Sequence, residues 1–206
     1  MQNLAGKSTR FYRKLLAATD WWGNGIDPFA AAKRTELDGD GLWRTLGETL
    51  WNVIAEDVQD PLSVLFSFAL WGNRVDLSYH AVADLGHDTR DAHTLLCDDL
   101  PEARRYLEES SYRDHPVHIV TDNAATELAA DLLLADHLLR GGERSVFLHV
   151  KLHPTFVSDA TAADVRELIA RMESRSSGAD AGLIRELGSR LRGVLKRGRL
   201  RIVPDQ

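Results

Sequence analysis

The chain has 206 residues, 44% of them hydrophobic, and a formal charge of −6. That apolar content supports a packed domain rather than a disordered chain, and the acidic balance argues against general nucleic-acid or membrane-surface binding, both of which depend on a basic face. The single cysteine, Cys97, excludes an internal disulfide and any cysteine-based metal cluster.

The start Met1-Gln2-Asn3-Leu4-Ala5 lacks the apolar run of a signal peptide, and no stretch approaches the roughly 18 apolar residues of a membrane span, so a cytoplasmic location is expected. Gly6-Lys7-Ser8-Thr9 resembles the tail of a phosphate-binding loop but lacks the glycine five residues earlier and the preceding strand. Phe11 to Ala18 and Pro28 to Lys33 read as short helices, separated by the turn Trp21-Trp22-Gly23-Asn24-Gly25. Leu42, Trp43, Leu46, Leu50, Trp51 and Ile54 recur at spacings of three and four, which puts them on one face of a helix from about Gly41 to Val58. Asp60-Pro61 then supplies an N-cap and a proline at the first helical position, so Leu62 to Trp71 is expected to form a largely buried helix. The tryptophans read as core, because large aromatics at helical spacing mostly fill space.

The texture changes near Pro116. Val117-His118-Ile119-Val120-Thr121 is β-prone, Ala124 to Arg140 is an Ala- and Leu-rich helix closed by Gly141-Gly142, and Ser145 to Lys151 is β-prone again. Strand, helix and strand at this spacing form a βαβ unit with parallel strands. A further helix or two from Ala163 to Lys196, with Ser174 to Gly178 as a polar turn, leads to a third β-prone run, Leu200 to Val203.

In open parallel sheets ligands bind beyond the carboxyl ends of the strands. Asp122-Asn123 follows the first strand, and Asp159 lies in the loop beyond the second, so parallel pairing brings them to one sheet edge. Their hard oxygens suit Mg²⁺ or Mn²⁺ and leave coordination positions for water and a phosphate, the arrangement that metal-assisted hydrolysis uses. Asp and Asn in such places also serve as helix N-caps, and from pattern alone both roles stand for Asp122, Asn123 and Asp159. Glu127 lies one helical turn beyond Asn123, where it accepts hydrogen bonds from sugar hydroxyls or simply complements the helix dipole. Of the eight histidines, His118 and His149 lie in the two strands and His87, His93 and His115 in irregular stretches. None forms a helical His-x-x-x-His pair or a His-Glu-x-x-His motif, so structural or surface roles are expected. There is no Gly-x-Ser-x-Gly elbow.

Three segments carry a more specific signal: Leu70-Trp71-Gly72-Asn73-Arg74-Val75-Asp76-Leu77-Ser78, then Thr121-Asp122-Asn123-Ala124-Ala125-Thr126-Glu127-Leu128 with Asp131-Leu132 to Leu138-Leu139, then Phe156-Val157-Ser158-Asp159. In this order they resemble the signatures of the damage-control phosphatase family, which includes eukaryotic proteins also described as acidic-residue methyltransferases. The element patterns already give an α/β fold, with a Rossmann-like parallel sheet and flanking helices expected in residues 116–206 and an all-helical subdomain in residues 1–115. The resemblance implies that Asp122, Asn123 and Asp159 are catalytic metal ligands, with Mn²⁺, Co²⁺, Ni²⁺ or Mg²⁺ as cofactor. It further implies substrate contacts from Glu127, Ser158, Asn73, Asp76 and Lys151, the last meeting phosphate charge at the strand end. The implied activity is hydrolysis of small phosphorylated metabolites, sugar phosphates among them.

Members of that family continue past a strand like Leu200 to Val203 into another strand and a Lys-Gly-Asp-type loop that binds phosphate. Their counterpart of Phe11-Tyr12-Arg13-Lys14 follows an upstream helix. The chain therefore reads as the middle of a longer protein, with an incomplete sheet, an exposed edge open to self-association, retained metal binding and weak or absent turnover. Two alternatives accompany the phosphatase reading. One is a methyltransferase using S-adenosylmethionine, opposed by the lack of glycines in Asp122-Asn123-Ala124-Ala125-Thr126. The other is a non-catalytic remnant that binds metal or a partner.

Overall fold

The computed structural model describes residues 4–54, 60–71, 97–109, 112, 114–140 and 142–204. Among them are nine helices and three strands: α1 Leu4–Ala18, α2 Trp21–Asn24, α3 Ala30–Asp38, α4 Asp40–Ile54, α5 Pro61–Trp71, α6 Leu100–Glu108, β1 Val117–Val120, α7 Thr126–Leu138, β2 Val146–His149, α8 Ala162–Glu173, α9 Ala181–Lys196 and β3 Leu200–Val203. The expected α/β class is what is found. Helix α6 was not anticipated, and the part of the first long helix expected beyond Ile54 lies outside the described residues.

Local chemistry sets several of these boundaries. Asp60 accepts the backbone N–H of Ser63 at 3.2 Å, and Pro61 occupies the first turn of α5, where its missing N–H costs nothing. At the start of α8, Thr161 and Asp164 form a reciprocal capping box. Arginine closes the other end of α7: Arg199 donates to the carbonyls of Leu139, Gly142 and Arg144.

The three strands pair in parallel in the order β1-β2-β3, with Val117 opposite Val146 and Val146 opposite Leu200. One face of the sheet, carrying Val146, Leu148, Leu200 and Ile202, is buried in a continuous core with α4, α5, α7, α8 and α9. Helix α7 is the centre of that core, burying Leu128, Ala129, Ala130, Leu132, Leu133, Leu134, Ala135 and Leu138. Each buried leucine is worth about 1.5–3 kcal/mol relative to an exposed one. Asp136 on α7 binds Arg190 of α9 through three contacts of 2.9–3.2 Å and Arg140 at 2.7 Å, which fixes the two helices in rotation as well as in distance. Helices α8 and α9 approach so closely at Gly188 that a Cβ there would lie 2.7 Å from the backbone nitrogen of Glu173.

The tryptophan expectation needs correction. Trp21 and Trp43 are core, but Trp22 is 60% exposed and Trp51 55% exposed. The apolar stripe of α4 outruns the surface it packs on, so Ile54 is also exposed, while the Trp51 indole finds Asp180 as acceptor. Among the described residues, no helix is long and apolar enough to cross a membrane.

Candidate metal centre

β1 ends at Val120, and the chain turns sharply before α7 begins at Thr126. The turn passes through Ala125 at φ 62°, ψ −116°, a backbone state that favours glycine and stores strain in a residue with a Cβ. Two anchors hold it. The backbone N–H of Ala124 donates to the Ser158 carbonyl at 2.7 Å, and the carboxylate of Glu36, from α3, accepts both the N–H and the hydroxyl of Thr126, at 3.1 and 2.6 Å. Glu36 thus caps α7 from 90 positions away in sequence.

That cap removes one of the two roles left open for Asp122 and Asn123. Neither caps α7: the residue at the N-cap is Ala125, and the exposed amide goes to Glu36. Asp159 does not cap α8 either, since Thr161 and Asp164 do. Instead its Oδ2 accepts the backbone N–H groups of Thr155 and Phe156, both at 2.9 Å, with the residue only 3% exposed. Both helix-cap explanations fall.

The tertiary structure also brings the three residues to one edge. Asn123 and Asp159 form an isolated antiparallel bridge, and the N–H of Ala160 donates to the Asp122 carbonyl at 2.8 Å, so the loop after β2 is laced to the turn after β1. The carboxamide of Asn123 has its polarity fixed at both ends. Its Nδ2 donates to Glu127 Oε2 at 2.9 Å, and its Oδ1 accepts the Ser158 hydroxyl at 2.6 Å. Glu127 and Ser158, expected as substrate contacts, are therefore also the groups that orient Asn123. The amide oxygen lies on the side of the Asp159 loop, where a hard cation would use it.

Lys151 stands across the site, with Nζ 2.8 Å from Asp122 Oδ1. Its ammonium is held above the ordinary lysine range, first by the hydrogen bond to Asp122, against partial desolvation, and then by the charges of Asp122, Asp159 and Glu127. Three carboxylates thus act on one cation in the place where a metal is expected. The donor set and the field fit a divalent ion. Among the described residues no three His, Cys, Asp or Glu side chains close into a ready-made cage. Asp122 is turned to Lys151 and Asp159 Oδ2 to its two amides, so ligation needs Asp122 to exchange Lys151 for the metal. Asn73 and Asp76 lie outside the described residues.

One turn beyond Glu127, Asp131 is 8% exposed within α7. Burial, followed by the neighbouring Glu127 charge, raises its pKa to about 7. The rim carries groups that sequence patterns did not reveal. His153 meets Trp22 edge-on, with ring centroids 5.2 Å apart, and lies 3.2 Å from the Thr155 hydroxyl, while Leu152, Phe156 and Val157 are exposed. No local signal ties Glu36 or Trp22 to the site, because their partners are distant in sequence.

Over residues 3–206 the sequence matches the family described as damage-control phosphatase ARMT1-like domain. The chain belongs to that family. Among the proteins it is similar to are those named Damage-control phosphatase ARMT1 from Danio rerio, 33% identical over 132 residues (55% of this chain and 28% of that protein), and from Homo sapiens, 30% identical over 140 residues (61% and 31%). The Mus musculus protein of the same name is 31% identical over 138 residues, or 58% of this chain and 30% of that protein. The chain spans about three-tenths of the length of the curated relatives it matches. Within the ARMT1-like family, then, this chain carries the strand ends on which Asp122, Asn123 and Asp159 sit.

Proposed function

We propose that the chain provides the divalent-metal site of a phosphohydrolase acting on small phosphorylated metabolites, sugar phosphates among them, with Asp122, Asn123 and Asp159 as ligands. The observation that carries this reading is that none of the three caps a helix, yet all are laced to one strand edge, where Asp122 already holds the ammonium of Lys151 at 2.8 Å. Family membership points the same way.

A bound divalent ion supplies charge for a phosphoryl group and acidity for water. The chain's own residues do the rest. Asp122 offers an exposed carboxylate, Asn123 an oxygen whose direction Glu127 and Ser158 fix, and Asp159 a carboxylate locked by two amides, so little reorganisation is needed when charge develops. Lys151, at present bonded to Asp122, would be a donor of the right charge for a phosphate oxygen once Asp122 served as a metal ligand. The exposed Trp22 and the His153 edge offer apolar surface for the remainder of the substrate.

The test is phosphate release from a panel of sugar phosphates and an aryl phosphate with Mn²⁺, Co²⁺, Ni²⁺ or Mg²⁺, with chelator, and with Asp122→Ala, alongside calorimetric Mn²⁺ binding. Metal-dependent release and Mn²⁺ binding, both lost in Asp122→Ala, are expected. Mn²⁺ binding that is unchanged in Asp122→Ala would overturn the assignment.

A further inference from the structure

The sheet face opposite the core carries His118 and Val120 on β1, Phe147 and His149 on β2, and Arg201 on β3. His118 pairs in register with Phe147, so His149 sits diagonally, two positions along the neighbouring strand. The two imidazoles meet there: His118 Nδ1 lies 2.7 Å from His149 Nε2, with the ring centroids 5.0 Å apart. The His118 ring is held flat against Phe147, with centroids 4.7 Å apart and planes within 7°, and the Arg201 guanidinium covers that phenyl ring at 5.2 Å. Two imidazole nitrogens thus meet across one hydrogen bond on an accessible face, with one ring braced by a rigid stack.

We propose that His118 and His149 form a two-imidazole chelate for copper(II), and more weakly for nickel(II), distinct from the oxygen site at Asp122. The donor type selects the metal class, because imidazole nitrogens suit copper, nickel and zinc and discriminate against magnesium and manganese. The spacing selects within the class. With metal–nitrogen bonds of about 2.0–2.1 Å, a right-angled pair needs its nitrogens about 2.9 Å apart, whereas a tetrahedral pair needs about 3.3 Å. The observed 2.7 Å therefore reaches the square or octahedral arrangement of copper and nickel by a small separation of the nitrogens, and tetrahedral zinc only by a larger one, in each case with a turn of the rings that points both lone pairs at the ion. On binding, the lone pairs of Nδ1 of His118 and Nε2 of His149 replace two water ligands, and whichever ring donated the shared hydrogen bond moves that proton to its far nitrogen, so no net proton is lost. The remaining coordination positions stay with water.

The pair also bears on how metal responses of this protein are read, because nickel would distribute between the two sites while manganese would not. The experiment is titration of the full chain, stripped of metal, with Cu²⁺, Ni²⁺ or Zn²⁺ alone, followed by calorimetry and, for copper, by the nitrogen couplings in electron paramagnetic resonance. His118→Gln, His149→Gln, the double variant and Asp122→Asn are titrated alongside, each checked for native circular dichroism. The expected result is a copper with two nitrogen ligands that is retained in Asp122→Asn, where only copper held by the oxygen donors is lost, and that is weakened by about a hundredfold in either single histidine variant because each breaks the chelate. Copper binding of unaltered stoichiometry and affinity in the double variant, loss in one single variant but not the other, or zinc bound as tightly as copper would each overturn the proposal.

Discussion

Replacing Asp131 by asparagine isolates a charge that the core of α7 opposes. The residue is 8% exposed, and burial with the nearby Glu127 charge raises its pKa from 3.8 to about 7. Because the folded state keeps the proton that the unfolded chain has lost, stability falls as the pH rises from 3.8 and levels off above about 7. At about 1.4 kcal/mol per pH unit, the full penalty above pH 7 is about 4 kcal/mol, of which about 2 kcal/mol falls between about pH 5.5 and about pH 8.5. Asp131→Asn removes the ionisation while keeping the shape. Urea unfolding of both proteins at those two pH values should therefore show the asparagine variant gaining about 2 kcal/mol on the parent as the pH is raised. A stability difference that stays constant across that range would refute the reasoning, because it would mean that Asp131 ionises as easily folded as unfolded.

Two further outcomes follow from groups that tie the helical layer to the site. Lys33 is buried, with Nζ 2.7 Å from both Asp27 and Asp164, the latter also completing the Thr161 capping box. Lys33→Met leaves two largely buried carboxylates without their cation and should cost about 3–5 kcal/mol in urea unfolding, with partial recovery on adding Asp27→Asn. Glu36→Ala removes the cap of α7 and should cost about 1 kcal/mol by the same measurement, whereas Glu36→Gln, which keeps an acceptor oxygen for Thr126, should cost less.

The sequence by itself determined the periodic parts of this protein. The helix starting at Asp60-Pro61, the three β-prone runs and the long helix between the first two were readable because their signals are local: a cap, a proline, a run of β-branched residues, an Ala- and Leu-rich stretch. Parallel pairing followed from spacing, and with it the meeting of Asp122, Asn123 and Asp159 at one edge. Whether those residues were ligands or caps could not be read, because an N-cap is defined by where its side chain goes. Tertiary structure gave α7 its cap from Glu36, left Asp122 and Asn123 free of that duty, and set Lys151 against Asp122. It also exposed Trp22 and Trp51, since a stripe of apolar residues states which face is greasy and not how far the opposing surface extends. The histidines make the same point. Their spacing in the chain matches no metal motif, and only strand register, which pairs His118 with Phe147 and so sets His149 diagonally beside it, brings the two imidazoles to 2.7 Å.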